Sequence, residues 1–186
     1  MGYLGIFVQS PKGINMTKNR IFIVGHSGAG KGVLAEAVAK KLGWQFINAD
    51  ILGCTTHIGR RTFEVLGESG EQHFHDCLHD ILSRQMGEEN IVVTTDESIV
   101  CDARNRDLLK SAFTVYLEVS TPVQMQRGRA GSRPPLLPVD DFAAFLEALH
   151  VERDALYKEA SSFSLSSDDG EIDQHAEAVC KAFETD

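Results

Sequence analysis

No stretch of the 186-residue sequence approaches the apolar length of a membrane span, which excludes an integral helical membrane protein. Paired cysteines are also missing. Cys54, Cys77, Cys101 and Cys180 are scattered with no Cys-x-x-Cys, so neither a disulfide scaffold nor a zinc ribbon is indicated. The thiols read as small buried hydrophobes in a thiol-reducing compartment. Positive charge is scarce, with 18 Lys and Arg against 27 Asp and Glu and a net charge of −9, which argues against a nucleic-acid surface. Arginines gather only locally, at Arg60 and Arg61 and at Arg127, Arg129 and Arg133, enough for a small polyanionic ligand. Met1–Val8 carries no basic leader or small-residue cleavage site, which speaks against a signal peptide. Residues 1–15 read as a disordered extension or a mis-called start, with Met16 the alternative. There is no internal repeat or linker, and the length suits one domain rather than two. A cytoplasmic monomer is expected, with neither nucleic acid nor membrane as partner.

What is present is concentrated at Ile21-Phe22-Ile23-Val24-Gly25-His26-Ser27-Gly28-Ala29-Gly30-Lys31-Gly32. A continuous apolar run suits a strand buried on both faces. Gly25, Gly28 and Gly30 let the following backbone curl into a nest of N–H groups, and a helix beginning at Lys31 adds its own unpaired N–H groups and positive dipole end. Such a socket accepts the β- and γ-phosphates of a nucleotide, with the Lys31 ammonium reaching over them. The usual residue after the lysine is Ser or Thr, whose hydroxyl ligates Mg²⁺; here it is Gly32, followed by Val33. Mg²⁺ often keeps several waters, so water and phosphate oxygens can replace that ligand. The Gly-Lys-Gly sequence resembles the loops of adenylate and cytidylate kinases.

Strand and helix alternate along the rest of the chain. Helix one places Leu34, Val38 and Leu42 on one face and stops at Gly43. Strands are expected at 45–48, 91–95, 113–119 and 163–165. Residues 51–86 read as helical pieces broken at Gly67 and Gly70, and further helices cover 103–111, 121–129 and 140–160. Gly131–Pro138, with three prolines, reads as a mobile loop. The last helix is expected to bury Ile172, Ala176, Val179, Cys180 and Phe183. Together these give a three-layer α/β fold, a five-stranded parallel sheet flanked by helices, with ligands at the carboxyl ends of the strands. The phosphate loop, Asp50 and Asp96 each follow a strand and would meet at one edge.

Arg153 lies on the apolar stripe Phe142, Phe145, Leu146, Leu149, Leu156 of its helix. An inward guanidinium needs an anion: a bound ligand or a structural carboxylate. Arg127 and Arg133 flank Gly128–Ser132, a segment that either closes over a nucleotide or is a solvated basic loop. Asp50 either accepts a proton or hydrogen bond from a substrate hydroxyl or caps a helix. Asp96-Glu97 closes a strand, where a carboxylate either holds Mg²⁺ through water or caps the next turn. His73, His75 and His79 invite a zinc reading but lack a convincing third ligand; a core helix flanking a substrate cleft fits better.

Over about residues 20–165 the chain resembles the shikimate kinase family. The resemblance is carried by Gly-His-Ser-Gly-Ala-Gly-Lys, by Phe46-Ile47-Asn48-Ala49-Asp50, by Gly70-Glu71-Gln72-His73-Phe74, by Arg133-Pro134-Pro135-Leu136-Leu137 and by Glu152-Arg153-x-x-Leu156-Tyr157. It implies a P-loop kinase fold with a lid over about 128–140, ATP and Mg²⁺, and a small-molecule hydroxyl acceptor. Residues Gly25-His26-Ser27-Gly28-Ala29-Gly30-Lys31-Gly32-Val33 would bind ATP, and Arg127 would lie over adenine. Arg133 would reach the transferring phosphoryl group. Asp50 would bind the acceptor's hydroxyls, and Arg153 one end of its carboxylate. Departures gather on the acceptor side. His75 stands where the family has an arginine, Asp96-Glu97-Ser98 where it has three glycines, and Asn48 where it has its first strand-two aspartate. The expectation is that Asp96, with Asp50, organises Mg²⁺ through water and that His75, Asp96 and Glu97 line a changed acceptor site. The alternative is a nucleotide-binding regulatory protein that has lost transfer.

Overall fold

The computed structural model describes residues 19–50, 62–130 and 139–186, with side chains described at 19–50, 70–127 and 142–186. The proposed extension 1–15, Cys54, Arg60, Arg61 and Arg133 lie outside these residues, as do most of the proposed lid and the side chain of Arg129.

Five strands, β1 (Arg20–Val24), β2 (Gln45–Ala49), β3 (Ile91–Thr95), β4 (Phe113–Glu118) and β5 (Phe163–Ser166), form one sheet in the order β2-β3-β1-β4-β5. Every pairing is parallel, with Arg20 opposite Ile91 and Val24 opposite Tyr116. The central position of β1 explains its unbroken apolar sequence. Ile21 and Ile23 face one layer and Phe22 and Val24 the other, all fully buried.

Helix α1 (Lys31–Leu42) and helix α6 (Ile172–Thr185) cover the first face, packing Leu34, Val38, Ala176 and Val179 against Ile21 and Ile23. Helices α2 (Thr62–Gln85), α3 (Ala103–Lys110) and α5 (Val139–Ala160) serve the second, through Leu78, Leu82, Leu109 and Tyr157. Helix α4 (Thr121–Ala130) follows β4. Parallel strands bring all five carboxyl ends to one edge, and the chain crosses from one side of β1 to the other between β3 and β4. A crevice at such a crossing is where open α/β sheets bind ligands.

Two local expectations are corrected. Helix α2 is continuous from Thr62 to Gln85 and is not broken at Gly67 or Gly70. An interior glycine costs only about 1 kcal/mol, less than the burial of Leu78 and Leu82 on the same helix stabilises it. Ile172 is 38 % exposed rather than buried, because the apolar face of α6 starts one turn later, at Ala176.

Candidate active site

The phosphate loop leaves β1 at Gly25, whose backbone is left-handed (φ 144°); a Cβ there would stand 2.5 Å from the carbonyl oxygen of Leu117 on β4. Only glycine allows the loop to turn this close to the sheet. Gly30 precedes α1, which begins at Lys31 as expected, with Gly32 and Val33 facing outward at its first turn. Lys31 is 5 % exposed. Its Nζ donates to the carbonyls of Gly25 (3.0 Å) and His26 (3.2 Å) and lies 3.5 Å from Asp50 Oδ2. The loop lysine and the carboxylate ending β2 therefore meet, as the strand-end argument predicts.

Arg127 reaches the other flank of the loop. Its Nη1 donates to the carbonyls of Gly28 (3.0 Å) and Ala29 (3.1 Å), and its Nη2 to that of Ser167 (2.6 Å), beyond β5. The guanidinium thereby ties α4, the phosphate loop and the end of β5 together, with its charge turned to carbonyl oxygens.

Beyond β3 the two carboxylates divide. Asp96, 2 % exposed, accepts through Oδ1 from the backbone N–H (2.9 Å) and hydroxyl (2.6 Å) of Ser98, the residue that precedes the short 3₁₀ turn Ile99–Cys101. Its Oδ2 is buried without a hydrogen-bond partner. Glu97 turns into the cleft: Oε2 accepts from Ser27 N–H at 3.0 Å, and Oε1 lies 3.6 Å from Arg153 Nη1. Arg153, 6 % exposed, also donates through Nε to Glu152 Oε1 at 3.3 Å. The neighbours of Arg153 are therefore carboxylates, as the structural alternative expects, with Glu97 half-buried and Glu152 exposed.

His75 lies 3.8 Å from Glu71, and its Nδ1 is buried without a partner. It lines a cavity of about 370 Å³ with Gln72, Cys101, Asp102, Ala103 and Arg104. His73 turns instead to Cys77, and His79 to Asn105 Oδ1 at 2.9 Å. The three histidines do not converge on one point, which disposes of the zinc reading. Asn48 is structural: its Oδ1 accepts from Thr94 Oγ1 and from Asp50 N–H, both at 3.0 Å, locking the ends of β2 and β3.

Sequence reasoning missed the network beneath the loop. His26, fully buried, places Nε2 2.7 Å from Asp154 Oδ1. Asp154 only accepts, so Nε2 carries the proton. The same oxygen accepts from Tyr116 OH (2.9 Å) and faces His150 Nδ1 (3.1 Å). His150 Nε2 faces Gln124 Oε1 at 3.2 Å, and Gln124 Nε2 donates to Ser27 O at 2.6 Å. Burial pushes the His26 imidazole down to about 4, although the Asp154 hydrogen bond opposes this, so it is neutral near pH 7. Burial would raise the Asp154 carboxyl, but hydrogen bonds from His26, Tyr116 and His150 outweigh it and hold it below the usual carboxylate range. Among the described residues, His26, His150 and Asp154 are the one group of three metal-capable side chains that gather, and hydrogen bonds join them. The sequence signal was the His150–Asp154 spacing of four on one helix, together with a histidine inside a phosphate loop.

Comparison with known proteins agrees with this geometry. The shikimate kinase family model matches residues 27–184. A shikimate kinase of Halorhodospira halophila is 34 % identical over 176 residues, covering 90 % of this chain and 95 % of that protein. Among solved structures, the shikimate kinase of Acinetobacter baumannii in complex with shikimate superposes with a TM-score of 0.74 at 26 % identity, covering 91 % of this chain and 94 % of that one. The enzyme from Bacteroides thetaiotaomicron gives a TM-score of 0.75 at 25 % identity, covering 89 % and 98 %. With the loop, the buried lysine and the strand-end carboxylates in the same fold, the chain belongs to the shikimate kinase family.

Proposed function

We propose that the chain transfers the γ-phosphoryl group of ATP to a hydroxyl of a small molecule, as a shikimate kinase-like enzyme. The observation that carries this reading is the meeting of Lys31 with Asp50 at the mouth of the phosphate loop, 3.5 Å apart. A phosphate-binding cation and a carboxylate able to take a hydroxyl proton thus stand side by side. In the reaction the acceptor oxygen forms a bond to the γ-phosphorus as the bond to the ADP oxygen breaks, and the hydroxyl proton passes to Asp50.

The loop from Gly25 to Gly32, with Lys31, cradles the phosphates through its N–H groups other than that of Ser27, which donates to Glu97, and Val33 and Arg127 border the nucleotide. The identity of Arg133 within Arg133-Pro134-Pro135-Leu136-Leu137 supports a role for it against the transferring group. Magnesium suits this donor set. The buried, unpartnered Oδ2 of Asp96 is a hard oxygen suited to a metal-bound water, and Gly32 leaves space where a hydroxyl ligand would otherwise stand. When bound, the ion neutralises charge on the β- and γ-phosphate oxygens. ADP release from Mg·ATP, measured with and without shikimate and other hydroxyl compounds, tests the reading, with Lys31→Ala as the blank. Acceptor-dependent release lost in Lys31→Ala is the expected outcome. Nucleotide binding with no acceptor-dependent release for any compound would overturn it.

A further inference from the structure

Glu97 joins two groups that physical chemistry marks as anion receptors. One is the N–H of Ser27 in the phosphate loop, which donates to Glu97 Oε2 at 3.0 Å. The other is the buried guanidinium of Arg153, permanently charged and in need of a counter-anion. Its Nη1 is 3.6 Å from Glu97 Oε1, close enough to attract but too far to hydrogen-bond, and Nη1 has no hydrogen-bond partner. Glu152 takes the Nε side at 3.3 Å. Among the described residues, one positive charge thus faces two carboxylates before a ligand arrives.

The backbone at Glu97 is held by a buried tyrosine. Tyr157 OH, from a ring fully buried in α5, donates to the Glu97 carbonyl at 2.5 Å. Among the described residues, the cation lining the neighbouring cavity is already paired: Arg104 holds Asp102 and Asp76, and His75 stands beside Glu71. A ligand carboxylate reaching Arg153 would have to displace Glu97 or sit against it. A neutral oxygen beside Arg153 would bring no second negative charge against Glu97.

We propose that Glu97 sets the acceptor class of this site: it supplies the carboxylate that Arg153 and Ser27 N–H demand, so the acceptor taken is a hydroxyl compound without a carboxylate, a neutral polyol. This rests on the reading of the site as that of a kinase. Shikimate and its methyl ester carry the same ring and hydroxyls and differ by one negative charge. Their dissociation constants, measured by calorimetry on the full chain, make the test. The ester is expected to bind at least about tenfold more tightly than shikimate to the wild type. In Glu97→Gln that preference shrinks or inverts, and Glu97→Ala moves it further the same way, with circular dichroism confirming that both variants are folded. Tighter binding of shikimate to the wild type, an unchanged ratio in both variants, or binding of neither compound to folded protein would each overturn the proposal. ADP release with the ester and other neutral polyols separates the two readings. A charge-dependent binding ratio without turnover of any of these compounds overturns the kinase reading and leaves Glu97 as the charge selector.

Discussion

Around the phosphate loop the cationic side chains turn to backbone carbonyls, whereas at the ends of β2 and β3 the contacts are made by carboxylates, Asp96 buried and Asp50 and Glu97 half-buried. On the nucleotide side Lys31 and Arg127 both turn their N–H groups to carbonyl oxygens, and the His26–Asp154 network braces the loop from below. On the acceptor side Asp50, Glu97 and Glu152 surround two cations, and His75, Asp96 and Arg153 each keep a buried polar atom without a hydrogen bond, against His26 Nδ1 alone of the loop network. Buried polar atoms are nearly always satisfied, so unsatisfied ones in a cleft mark where a ligand or bound water completes the structure. On the proposed reading, the nucleotide side keeps its shape for a ligand with a phosphate chain, and the acceptor side presents a particular charge pattern.

The largest effect should come from the one cation both sides share. Lys31→Ala removes the ammonium facing the phosphates and its ion pair with Asp50 at 3.5 Å. Loss of one preorganised electrostatic contact of this kind lowers kcat by about 10²–10³-fold. Steady-state ADP release gives the number; less than a tenfold loss would mean that the backbone cradle alone carries phosphate recognition.

Next in size is the pH response of the network beneath the loop. In the unfolded chain an imidazole binds its proton below about 6.5, but buried His26 does so only below about 4. Between those values the unfolded state holds the extra proton, so stability is fully present above pH 6.5 and falls as pH drops through this window. The shift corresponds to about 3 kcal/mol by pH 4. The depressed Asp154 carboxyl acts in the same direction, its contribution being lost at the acid end. Urea unfolding at pH 7 and pH 4.5 should show a large drop for the wild type and a smaller one for His26→Gln. Parallel curves would mean that the acid sensitivity resides in the acceptor-side carboxylates.

The same division runs through what the sequence made legible. Strand β1 and the start of α1 could be read because a doubly buried strand has no alternation and because the loop glycines sit where left-handed backbone is required. Asp50 and Asp96 could be placed at one edge because parallel strands share a carboxyl end. The continuity of α2 through Gly67 and Gly70 was not legible, since tertiary packing overrides a local cost of about 1 kcal/mol per glycine. Nor was the His26–Asp154 pair, whose members lie 128 residues apart. Asp154 follows the inward Arg153 by one residue, a position that helical periodicity assigns to a more exposed face. Glu97 was placed in the site, but its bond to the loop itself, through Ser27 N–H, depends on a β3-to-β1 adjacency that no local pattern encodes.

Smaller effects should appear in the metal requirement. Asp96→Asn keeps the oxygen that accepts from Ser98 N–H but removes the charge from the buried carboxylate. The Mg²⁺ concentration for half-maximal activity should rise by about tenfold, the scale expected for a group acting on an ion through bound water. An unchanged Mg²⁺ requirement with unchanged kcat would confine Asp96 to holding Ser98 in the turn after β3.

The smallest change expected is a gain, at Gly32. A Cβ built at this position meets nothing within 4 Å, and the residue lies in the first turn of α1 with its backbone outside the left-handed region. Gly32→Ser should therefore be accepted without strain, and serine is a somewhat better helix former than glycine. Its hydroxyl would add a hard oxygen at the mouth of the loop, opposite the strand-end carboxylates, and one such contact is worth about 0.5–1.5 kcal/mol. The half-maximal Mg²⁺ concentration should accordingly fall by about three- to tenfold, while the affinity for nucleotide without metal stays the same. In an Asp96→Asn background the serine should recover part of the lost Mg²⁺ response, because both groups would act on one ion from opposite sides. A Gly32→Ser protein with tighter nucleotide binding but no shift in Mg²⁺ dependence would place the ion away from α1 and leave its organisation to the acceptor-side carboxylates alone.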